Sequence, residues 1–128
     1  MKKLIFLFLA VLLLTACGQD KENGQGAVYV NITAEAAKQI MDSEEGYIIL
    51  DVRTQEEYDQ GHIPGAILIP DTEIKAKAEK VLADKDQLIL VYCRSGRRSK
   101  LAAEALVELG YTNIKEFGGI IDWPYEVE

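Results

Sequence analysis

Apolar residues in this 128-residue chain fall in two rhythms. The first is short and continuous. Leu88-Ile89-Leu90-Val91-Tyr92 is unbroken and rich in β-branched side chains, the pattern of a strand buried on both faces of a parallel sheet. Val28–Ile32, Tyr47–Val52, Ala66–Ile69 and Asn113–Phe117 predict further strands, the third stopped by Pro70. The second rhythm has helical spacing. Thr33 can cap a helix running to about Met41, and Thr54 or a neighbour a short one through Tyr58, closed by Gly61. Asp71 opens a helix that should put Ile74, Ala78, Val81 and Leu82 on its inner face. After an Asp84-Lys85-Asp86 turn and the central strand, Leu101, Ala102, Ala105, Leu106 and Leu109 mark a last helix, ended by Gly110. Strands interleaved with helices give an α/β class: a mostly parallel central sheet flanked by helices on both faces.

The amino-terminal stretch has a different character. Met1-Lys2-Lys3 is basic, and Leu4 to Leu14 is an apolar run too short to span a bilayer but suited to a secretory signal. Leu14-Thr15-Ala16-Cys17 resembles a bacterial lipobox, which implies a signal peptide over 1–16 and a lipidated Cys17. Acylation with more than one chain, palmitate among them, meets the two-signal condition for stable anchoring. Residues 17–26 combine that cysteine with a polar, glycine-rich tether, leaving 27–128 as the domain. The expected location is the outer face of a bacterial membrane or the periplasm, held through the lipid anchor. A buried first helix is the other reading of the same run.

Composition changes the picture in two ways. The formal charge is −7, and loss of Lys2 and Lys3 with the leader leaves 12 basic against 21 acidic residues, or −9. So acidic a body argues against nucleic acid as a partner and makes any basic cluster stand out. If Cys17 is lipidated, Cys93 is the only thiol left, which excludes an intramolecular disulfide and a dithiol mechanism within one chain. One histidine and one free cysteine offer no metal site, and no cofactor is called for.

The basic cluster and the remaining thiol coincide. Cys93-Arg94-Ser95-Gly96-Arg97-Arg98-Ser99 follows the central strand and opens the last helix, at the strand edge where open α/β sheets bind ligands. Backbone amides curling into a helix start form an anion-binding concavity, and Arg94, Arg97 and Arg98 add full charges. These surroundings predict a Cys93 thiol largely ionised at neutral pH, and nucleophilic. The loop, with Ser95, Gly96 and Ser99, would also hold an anionic substrate. A buried structural cysteine is the bland alternative.

Cys93 to Arg98 resembles the six-residue active loop of single-domain rhodaneses. Asp51-Val52-Arg53, Glu56-Glu57-Tyr58 and Gly61-His62-Ile63-Pro64-Gly65-Ala66 are similar to that family's first signature, and Gly118-Gly119-Ile120 with Trp123 to its closing segment. The resemblance spans about Val28 to Pro124 and implies a rhodanese-like fold over 27–128. It implies sulfur transfer from an anionic donor such as thiosulfate to cyanide or a thiol, through a Cys93 persulfide. Asp51, Arg53 and His62 become structural supports for the loops rather than acid–base groups, and Gly118-Gly119 allow close backbone approach. A phosphatase or arsenate-reducing relative needs arginine six positions after the cysteine; Ser99 stands there, and Arg98 comes one residue early. A non-enzymatic persulfide carrier, or a tethered binding module, is the alternative from another class.

Overall fold

The computed structural model describes residues 28–128. The leader, Cys17 and the tether lie outside the described residues. Five strands form one sheet: β1 (Val30–Asn31), β2 (Ile48–Asp51), β3 (Ile67–Leu68), β4 (Ile89–Cys93) and β5 (Ile114–Gly119). Their order is β1-β5-β4-β2-β3, and every pairing is parallel. Between them run α1 (Ala34–Ser43), α2 (Gln55–Asp59), α3 (Ile74–Val81) and α4 (Arg97–Glu108). The α/β expectation therefore holds, with β4 at the centre.

All five residues of β4 are buried, as the continuous apolar run requires of a strand covered on both faces. Alternation divides them. Ile89, Val91 and Cys93 join Ile74, Ala78, Leu82, Ala102, Ala103 and Leu106 in the core beneath α3 and α4. Leu90 and Tyr92 face Ala37, Ile63, Phe117 and Trp123 on the other side. The parity of one strand thus aims Cys93 towards α4.

Local chemistry sets the helix starts. Thr33 accepts from the Ala36 amide at 3.0 Å, and Thr54 and Glu57 form a reciprocal capping box on α2. Three expectations need correction. Asp71 opens a 3-10 turn (Asp71–Glu73) before α3 begins at Ile74. Val81 is 51% exposed, because the backbone leaves the helix at Leu82 and only that residue turns inward. Leu101 is 48% exposed; the buried stripe of α4 is Ser99, Ala102, Ala103 and Leu106, so a serine fills a place in the apolar face.

Candidate active site

Cys93 ends β4, and its side chain is 1% exposed. The chain then turns through Arg94 and Ser95 to Gly96, which caps α4 with φ +108°. That left-handed conformation is disfavoured for residues carrying a Cβ. It directs the Gly96 N–H back at the Cys93 sulfur, 3.0 Å away. Ser99, one turn into α4, brings its Oγ to 3.3 Å from the same sulfur. The loop thus gives Sγ one backbone amide and one hydroxyl partner within hydrogen-bond distance.

A second strand closes over the loop. Between the pairs Val91–Glu116 and Cys93–Gly119 the register of β5 slips, an irregularity containing Gly118 at φ +85°. Gly119 then lies so close to the turn that a Cβ there would sit 1.9 Å from the Arg94 carbonyl oxygen. The same carbonyl accepts from the Ile121 amide at 3.2 Å. The Gly118-Gly119 pair thus meets the expectation of close backbone approach, at Gly119, and adds a positive φ at Gly118.

The three arginines of the loop divide. Arg94 and Arg97 are exposed, two positive side chains at the surface beside the cysteine. Arg98 is half-buried, and its guanidinium makes a two-pronged bond to Glu57 of α2, at 2.6 and 2.9 Å. That pairing holds the Glu57 carboxyl down at about 2, with the Thr54 bonds helping against partial burial. No local signal marks this tie, since its partners lie 41 positions apart.

Asp51 and Arg53 form a buried unit away from the sulfur. Arg53 grips the Asp51 carboxylate through Nε and Nη2, the latter at 2.7 Å, and reaches on to the Gly61 carbonyl. Tyr92 donates to Asp51 at 2.6 Å and accepts from the Ile63 amide. Burial, and then the Asp51 bond, push the Tyr92 phenol well above its ordinary range. His62 stacks on Tyr58 with ring centroids 3.8 Å apart, its Nδ1 lies 3.0 Å from the Tyr58 carbonyl, and its backbone pairs with Glu128. Asp51, Arg53 and His62 thus tie loop backbone together, and none hydrogen-bonds Cys93.

One residue of the site was not anticipated. Glu116 on β5 is fully buried, beside Val91 in register, and its Oε1 accepts from Ser99 at 2.6 Å. The available signal was parity: within Asn113–Phe117, Glu116 shares a face with Ile114, a core position.

The family model for the rhodanese-like domain matches residues 33–124. The chain belongs to the rhodanese-like domain family. Among curated relatives, it is 44% identical over 73 residues to "Thiosulfate sulfurtransferase PspE" of Escherichia coli, spanning 57% of this chain and 70% of that protein. It is 41% identical over 112 residues to "Putative sulfur carrier protein YrkF" of Bacillus subtilis, spanning 87% of this chain but 60% of that one. Among solved structures, "rhodanese with anions from E. coli" superposes with a TM-score of 0.60 at 39% identity, covering 64% of this chain and 96% of that one. Within this rhodanese frame, Cys93 stands at the carboxyl end of the central strand and at the amino end of α4.

Proposed function

We propose that this rhodanese-like protein is a sulfurtransferase that carries sulfane sulfur on Cys93. The observation that carries the reading is the seat of the sulfur: Gly96 N–H at 3.0 Å, Ser99 Oγ at 3.3 Å, and the start of a twelve-residue helix behind them. A thiolate or persulfide anion there meets a fixed amide and the positive end of a helix dipole. Arg94 and Arg97 stand exposed beside it, suited to drawing in a small dianion across an acidic surface.

The reaction runs in two halves. The Cys93 sulfur attacks the outer sulfur of thiosulfate and sulfite leaves, giving a persulfide; cyanide or a thiol then removes the terminal sulfur. The name of the Escherichia coli relative, "Thiosulfate sulfurtransferase PspE", supports thiosulfate as the donor. Initial rates of thiocyanate formation, with both substrates varied, should give the parallel-line pattern of a ping-pong enzyme. Cys93→Ser should lower turnover to background; a serine variant that still turned over would refute the assignment. A carrier role is the second reading, favoured by the name of the Bacillus subtilis relative, which aligns over 87% of this chain. Fast persulfide formation with slow discharge to every small acceptor would mark a carrier.

Placement follows from the amino-terminal signals: an exported protein anchored by lipid on Cys17, with residues 18–26 as its tether. Cell fractionation of the full chain should find it in membranes and a Cys17→Ser variant absent from the mature anchored pool. Equal anchoring of both would remove that part of the proposal.

A further inference from the structure

The face of the sheet turned away from Cys93 carries a cleft for which sulfur transfer has no use. It lies between α1 and the segment Trp123–Glu126 and has a volume of about 790 Å³, the size of a small-molecule site. Ile49 of β2 and Ile63, both buried, give it an apolar base. Three aromatic residues, Tyr47, Trp123 and Tyr125, line it as well.

The polar ends of two of these rings are already engaged. Tyr47 Oη donates to the Met41 carbonyl at 3.0 Å, and Trp123 Nε1 donates to the Glu126 carbonyl at 3.1 Å. Trp123 and Tyr125 meet edge to face with ring centroids 4.9 Å apart, so each holds the other in place. Tyr47 and Trp123 therefore offer the cleft ring surface rather than free hydrogen-bonding groups.

Charge around the cleft is unequal. Asp42 and Glu126 bring two carboxylates, and Lys38 is the one basic residue lining it among the described residues. Lys38 also shows what this lining does with a cation. Its Nζ binds Asp42, one turn along α1, and lies 5.5 Å from the centre of the Tyr125 ring. The Asp42 bond first, with the fields of the Asp42 and Glu126 carboxylates added, holds that ammonium above its ordinary range. Asp42 is thus taken up by Lys38, whereas Glu126 enters no ion pair among the described residues. One carboxylate is left over beside a wall of rings. That combination favours a positive group carrying apolar bulk and disfavours an anion.

We propose that this cleft binds a small organic cation, its ammonium between the Glu126 carboxylate and the Tyr125 and Trp123 rings, its apolar body over Ile49 and Ile63. Binding there does not depend on sulfur transfer. Cys93 lies on the other face, and a dianionic sulfur donor would be repelled by Glu126.

The chain has a single tryptophan, and its indole N–H bonds within the segment that walls the cleft, so its nitrogen resonance reports on the site. Proton–nitrogen correlation spectra of the labelled full chain, titrated with phenethylammonium, test the proposal; phenylethanol and phenylacetate serve as neutral and anionic probes with the same ring. Phenethylammonium should shift the Trp123 indole signal and amides of α1 saturably. Phenylethanol should bind about fivefold more weakly, the scale of one partly exposed cation–ring contact, and phenylacetate more weakly still. Glu126→Gln should weaken the cation by a similar factor and leave the alcohol unchanged, and Tyr125→Leu should reduce the preference for the cation. Circular dichroism checks the folding of both variants. A cation that moves no Trp123 signal, or shifts confined to the Cys93–Ser99 loop, would remove the site. Equal affinity for cation and alcohol, or a Glu126→Gln protein that binds the cation as well as wild type, would overturn the class of ligand assigned to it.

Discussion

Helix α2 opens with Thr54 and Glu57 exchanging hydrogen bonds and with acidic residues in its first turn, which is what a helix dipole favours. Helix α4, on the same sheet, opens with a glycine at positive φ, no capping side chain and two arginines in its first turn. Arginines there oppose the dipole, at a cost of some tenths of a kcal/mol each. The first start is arranged for helix stability. The second leaves an amide directed at a sulfur and its positive end uncompensated, suited to an anion from outside the chain. The two ends are also joined, because the capping carboxylate of α2 is the one that grips Arg98 of α4. Local rules are broken at one helix start and kept at its neighbour, and the breach falls where the chemistry is placed.

Converting the second start towards an ordinary one should give the largest effect. In Gly96→Ala the added Cβ meets no clash closer than 3.6 Å, so the penalty is conformational. It should be about 1–2 kcal/mol for a left-handed residue. Relaxation of φ turns the amide off the sulfur, and kcat should fall by about a hundredfold, the scale of losing one anion-stabilising donor. Urea unfolding and thiocyanate assays on one preparation measure both. A variant with unchanged kcat would show that the amide does not serve the reaction.

Severing the link between the two starts should do less. Glu57→Gln removes the charge partner of Arg98 while a glutamine still completes the α2 capping box, at about 1 kcal/mol. The folded value of Glu57, about 2, lies below its ordinary 4.5, so its stabilisation is complete above about 4.5 and is lost as pH falls towards 2. Wild type should therefore lose stability over that acid window more steeply than Glu57→Gln, with the two curves parallel above pH 5. Freed of its partner, Arg98 can swing towards the loop, and KM for thiosulfate should change by a few-fold with kcat nearly constant. Parallel acid limbs would break the link assigned to this pair.

Much of this contrast was legible in the chain itself. The unbroken run Leu88–Tyr92 can be satisfied only at the centre of a sheet, and β4 lies there. Thr33 and Thr54 act within three residues of themselves, and both caps formed as expected. Cys93 and the glycines after it carried their chemistry in residue type. What escaped was decided by distant partners. The pairing of Arg98 with Glu57 joins positions 41 apart, and neither local stretch carries a signal for it. Glu116 is a polar residue at apolar parity, and a polar residue in a strand is by default turned outwards; Ser99 belongs to the expected loop, but its bond to Glu116 is set by β5. Leu101 and Val81 show the same limit from the other side: helical spacing marks a face several residues wide, and packing against the sheet selects the part that is covered.

Uptake of one sulfur atom by Cys93 is the step on which sulfur transfer depends. Intact-mass analysis after brief exposure to thiosulfate should show a single added sulfur on the wild-type chain, lost on adding cyanide, and none on Cys93→Ser. A wild-type mass that does not change, or an added sulfur that persists in the serine variant, would contradict it.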